Sequence, residues 1–149
     1  MEIERKPYAW LILSQDGPIG IVPQDTADLD LHELQNAVGV GGGFIEIVAP
    51  HMFQYFNPYL RLVVDDMGLY KEKCHLNLLA SAIYMHDIVG DVVVCTTFNK
   101  DVNAEPDIYA MEFDEALQLR DRFSRLYKKL AAAVSEQDAR NEQQQKGDE

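Results

Sequence analysis

From Phe113 to Val134, the residues Ala116, Leu119, Phe123, Leu126, Tyr127, Leu130 and Val134 recur at steps of three and four. An α-helix turns once every 3.6 residues, so these side chains line up as one apolar stripe. Arg120, Arg122, Arg125, Lys128 and Lys129 fall on the other side of the wheel. A stripe this long requires a surface to lie on, either a sheet or a partner. That requirement constrains the fold more than any other feature of the chain.

The upstream sequence supplies the sheet. Tyr8–Leu13 is apolar on both strand faces, and Gln15-Asp16-Gly17-Pro18 is a turn signal, so Ile19–Val22 reads as the returning strand of a hairpin. Asp25 to Asp28 offers N-caps for a short helix in which Leu31, Leu34 and Val38 share one face, with Gly39 as its C-terminal cap. Phe44–Val48 and Tyr59–Val64 are further strands, and Pro50 and Pro58 bracket an aromatic loop or loose hairpin between them. Asp65-Asp66-Met67-Gly68 is a second turn signal. Leu78–Met85 reads as a short helix capped by Asn77, and Asp91–Thr97 carries the strongest buried-strand signal. Asn99–Pro106 is a polar loop, and Asp107–Met111 a short edge strand. Strands mixed with few helices, mostly in hairpin-like order, predict an α+β fold. Its sheet is mostly antiparallel, with helices on one face: two short ones and the long C-terminal one. A single domain spans 1–134, and residues 135–149, nearly devoid of apolar side chains, are expected to form a disordered polar tail.

The formal net charge is −12, and it is unevenly placed. Residues 1–112 hold 6 basic and 17 acidic side chains, whereas 113–134 hold 5 basic and 3 acidic. An acidic body repels phosphate backbones, which disfavours direct binding of nucleic acid. The same charge serves solubility or attracts a basic protein, and the cluster Asp25, Asp28 and Asp30 is the candidate contact. The basic face of the last helix is either solvated or docks on another copy's acidic body, giving a homodimer. No apolar run approaches the roughly 20 residues of a membrane span. The first residues lack the order of a signal peptide, and two cysteines are too few for a disulfide scaffold, so a cytoplasmic chain is expected.

Catalytic signals are weak. Gly39-Val40-Gly41-Gly42-Gly43 follows a helix and precedes a strand, the reverse of the order a phosphate cradle needs. It reads as a connection, or as a flap in which Gly42 and Gly43 approach a ligand. His32, His51, His75, His86, Cys74 and Cys95 show no metal-ligand spacing, and no serine or cysteine sits in a nucleophile setting, so no metal, cofactor or catalytic residue is expected. Glu46 lies between Ile45 and Ile47, and a carboxylate on such a strand is either solvent-facing or an acid in a pocket or interface. Phe53, Tyr55, Phe56 and Tyr59 are either core or a protein-contact patch, with Tyr55 and Phe56 the candidate contacts.

GGFIEIV at 42–48, LVVDDMG at 62–68, Asn77 with Leu78-Leu79-Ala80-Ser81, and DIVGDVVV at 87–94 together resemble a small domain family of unknown function from phages, plasmids and integrative elements. The resemblance covers residues 19–97. It rests on Gly42, Gly43, Ile45 and Glu46, then Asp65, Asp66 and Gly68, then Asn77 and Ala80, then Ile88, Gly90 and Asp91. It implies a cytoplasmic accessory protein of a mobile element that acts on a host factor. The expected function is therefore non-enzymatic binding of a host protein, a basic nucleic-acid-binding or defence component. The chain would act as an acidic anti-defence inhibitor that mimics nucleic acid. The alternative is a small-ligand or nucleotide-binding domain with the Gly-rich flap over Glu46, Asn77 and Asp91.

Overall fold

Gly17 takes a φ of +115°, a conformation open to glycine, and closes the turn between strand β1 (Tyr8–Leu13) and strand β2 (Ile19–Gln24). A Cβ there would also run into the Tyr127 hydroxyl, so the turn is roofed by the last helix. The computed structural model describes residues 4–38, 45–65, 75–97 and 108–147. After β2 come helix α1 (Leu31–Ala37), strand β3 (Ile45–Val48), a 3-10 helix (His51–Tyr55) and strand β4 (Leu60–Asp65). Helix α2 (Leu78–Tyr84), strand β5 (Val92–Thr96), strand β6 (Met111–Glu112) and helix α3 (Phe113–Gly147) complete the order.

Among the described residues the six strands form one antiparallel sheet, five in the order β2-β1-β5-β4-β3 and β6 beside β1. The fold is α+β. Pro23 sits on β2, an edge strand, where a missing N–H disturbs no ladder on the outer side. β6 pairs with Tyr8 and Ala9 of β1, below the stretch of β1 that β5 occupies. The expected edge strand at 107–111 is thus shorter, starts later, and fills a slot inside the sheet (Asp107 lies outside the described residues).

Strand alternation divides the core in two. Ala9, Leu11 and Leu13 of β1, Leu60, Leu62 and Val64 of β4, and Val92 and Val94 of β5 face one way. Ala116, Leu119 and Phe123 of α3, Leu79, Ala80 and Ile83 of α2, and Phe53 cover them. Trp10, Val63, Val93 and Cys95 face the other way and are covered by Leu34 and Val38 of α1. Helices therefore lie on both faces, which corrects the expectation of one. The physical reason is visible in β5, buried at every position: its second apolar face needs a cover of its own.

Local capping also differs from the sequence reading at one helix. The N-cap of α1 is Asp30, which accepts from the His32 N–H at 3.0 Å, rather than a residue of 25–28. The proposed cap Gly39, the strand residue Phe44, the turn residues Asp66–Gly68, Cys74 and the loop 99–106 lie outside the described residues. α3 runs past Val134, where an unordered tail is expected. It continues to Gly147, with the side chains at 135–144 exposed. Gln, Glu, Ala, Lys and Arg favour helix intrinsically, and Gln137 donates to Asn141 one turn on.

Candidate functional site

The residues singled out from sequence fall in three places. Glu46 is exposed on the edge strand β3, opposite Val64, two strands from β5. Asn77 and Asp91 each bond the backbone at or just past the end of β1, and both are committed to the fold. The fully buried Asn77 amide donates to Leu13 O and Gly90 O, each at 2.8 Å, while its oxygen accepts from the Ala80 N–H and caps α2. Asp91 accepts from the Gln15 N–H at 2.9 Å, and the Gln15 side chain in turn accepts from the His75 N–H. None of the three lines the grooves described next. Gly42 and Gly43, with Asp66 and Gly68, lie outside the described residues.

Asp25, Asp28 and Asp30 are brought to one groove. The chain from 25 to 30 alternates: Ala27 is buried and Leu29 packs inward, whereas Asp28 and Asp30 face out. Backbone bonds pin it, because Ala27 O accepts from the Ala110 N–H and Asp28 bridges to Tyr109. The three carboxylates and Glu33 line a groove of about 900 Å³ whose other walls include Trp10, Val22, Pro23, Leu29 and Ala37. Lys6 enters from one end and lies 3.6 Å from Asp25. The Glu33 carboxylate accepts from the Gln24 amide at 3.2 Å. Glu33, Gln24, Lys6 and Trp10 escaped sequence reasoning. Asp30 and Glu33 stand in capping-box spacing, a signal that places Glu33 on the same helix end. Nothing in the sequence reports that Trp10 reaches the same groove, since that depends on which face of β1 meets α1.

A second groove has the opposite character. The aromatic stretch splits: Phe53 is core and lies against Phe123 at 6.2 Å between ring centroids, Phe56 is half-buried, and Tyr55 is 80 % exposed. The Arg122 guanidinium sits 4.5 Å above the Phe56 ring, a cation–π contact. With Arg125, Lys129 and Tyr55 they form a basic, aromatic wall between the 3-10 helix and α3. In an adjoining groove that shares Phe56 and Arg122, the half-buried Glu115 accepts from the Asn57 amide at 2.8 Å. Burial pushes the Glu115 carboxyl above its ordinary range, the neighbouring Glu112 adds to that, and the Asn57 bond opposes it.

The buried Cys95 thiol donates to Arg61 O at 3.9 Å, and among the described residues no three His, Cys, Asp or Glu side chains converge as a metal set. No helix among those residues is long and apolar enough to cross a membrane. Comparison of the chain with family models, with curated proteins and with solved structures finds no match.

Proposed function

We propose that the chain is a non-enzymatic binding protein that takes a basic protein partner at the groove formed by Asp25, Asp28, Asp30 and Glu33. The observation that carries this reading is the pairing of exposed carboxylates with an apolar wall, in a chain of net charge −12. Carboxylates around the mouth steer a cationic surface from a distance, and the apolar wall supplies area to bury once it arrives. The spaced carboxylates imitate the phosphates that a nucleic-acid-binding protein expects. In the setting that the family resemblance implies, the partner is a host nuclease or another basic defence protein, and the chain acts as its inhibitor.

The test is capture of basic nucleic-acid-binding proteins from a bacterial lysate at low salt, followed by competition with DNA. A variant carrying Asp25→Lys, Asp28→Lys and Asp30→Asn keeps a capping side chain at position 30 while removing the field. The expected result is a partner that loses its DNA on binding, is released between about 50 and 500 mM salt, and is not retained by the variant. Retention that is indifferent to both salt and the variant would sink the reading and turn attention to Tyr55 and Phe56.

A further inference from the structure

Trp10 is 4 % exposed, lines the acidic groove, and its indole N–H meets no acceptor among the described residues. Buried tryptophan N–H groups normally find a partner. A second orphan lies in the same groove: the Gln24 Oε1 is buried and accepts no hydrogen bond from the described residues. Gln24 sits two register steps from Trp10 across the β1–β2 ladder, opposite Tyr8, so both side chains leave the sheet on the face that α1 covers. Among the described residues the groove thus holds one unused donor and one unused acceptor in its lining, under a mouth where four carboxylates face one lysine.

Extended backbone answers both orphans, since the N–H and C=O of one residue point to the same side of a strand, one donating and the other accepting. A lysine or arginine side chain on the same segment lays its aliphatic stem along the apolar wall and its charge among the carboxylates. A free polyamine answers the charge and can donate to the Gln24 oxygen, but it carries no acceptor for the Trp10 indole N–H. We propose that the groove binds an extended lysine- or arginine-bearing segment of the partner. The C=O and N–H of one of its residues pair with the Trp10 indole N–H and the Gln24 side-chain oxygen, while its cationic side chains meet Asp28 and Glu33. β2 is the edge of the sheet, so such a segment reaches the groove without displacing a strand. This inference rests on the basic-partner reading above and adds the recognition chemistry to it.

Trp10 is the single tryptophan of the chain, so one indole cross-peak in a ¹H–¹⁵N spectrum reports on the site. The probes are an acetylated, amidated tetralysine peptide and spermine, each titrated into the full chain at low salt. The peptide is expected to move the indole N–H downfield and to saturate. Spermine is expected to shift backbone amides of 25–33 and to leave the indole in place. Asp28→Asn with Glu33→Gln should weaken the peptide about tenfold. Trp10→Phe should weaken it about fivefold and leave spermine unaffected, provided the variant's amide spectrum shows the native fold. A peptide that shifts the amides of 25–33 but not the indole overturns the amide pairing and leaves the basic-partner reading standing. Equal movement of the indole by spermine also overturns the pairing. Absence of any shift with either probe overturns both.

Discussion

Asn77 shows how much one side chain can hold. Its amide ties the end of β1 to Gly90, two residues before β5, and its oxygen starts α2, all with no exposure to solvent. Asn77→Ala leaves two buried carbonyls without a donor and removes a cap, so it should cost about 3 kcal/mol or more in urea unfolding. Asn77→Asp keeps the cap but not the donors, and should rescue little of that loss. A residue that resembles a ligand-binding asparagine in sequence is here a structural tie. Glu115 makes a different forecast. Its raised pKa means that the native state holds the proton more tightly than the unfolded chain does. Its contribution to stability is therefore complete below the ordinary carboxyl value of 4.5 and is lost as pH rises through the raised native value. Glu115→Gln, which can still accept from Asn57, removes that loss. The melting temperature of the variant minus that of the native chain should be most positive at neutral pH and shrink on acidification. A difference that does not vary with pH would contradict the burial of Glu115.

At the scale of elements, α3 is two things in series. Phe123 is 1 % exposed and stacks on Phe53, while Val134 is already 45 % exposed and the side chains at 135–144 all face solvent. Phe123→Ala should therefore cost about 3–5 kcal/mol. Ending the chain after Val134 should shift the thermal midpoint by no more than a few degrees, because those last turns bury almost no apolar area. It should lower the helical circular-dichroism signal all the same. The 3-10 helix shows why the aromatic stretch resists a single label. A short turn between two prolines points Phe53 inward and Tyr55 outward, so neighbouring aromatics have opposite fates.

For the whole molecule, the two clusters share β1, β4 and β5 and lie on opposite faces of them. Trp10 belongs to the α1 side, whereas most helical signal comes from α3 on the other. Shared strands should make the faces unfold together. Tryptophan fluorescence and far-ultraviolet circular dichroism should then report the same midpoint in denaturant. Midpoints that separate would show that α1 and its side of the sheet open first. Charge is also divided at this scale: carboxylates gather at the α1 groove, and arginines with Lys129 gather beside the 3-10 helix.

Periodicity alone determined much of this protein. The stripe of α3, the strand character of Tyr8–Leu13 and Val92–Thr96, the Gly17 turn and the Asn77 cap are local facts, set by steric limits and by which side chains water rejects. The cluster Asp25, Asp28 and Asp30 was likewise legible as charge. The tertiary structure decided what those elements face. It placed α1 on the second side of the sheet, because a central strand buried on both faces needs two covers. It moved the cap of α1 to Asp30, took Asn77 and Asp91 into the frame, and left Glu46 exposed at an edge. It also brought Trp10 and Gln24, from strands paired 14 residues apart in sequence, into one groove with Glu33 of the next helix. That juxtaposition depends on strand register and on which face a helix crosses, and neither is a property of any local run of residues.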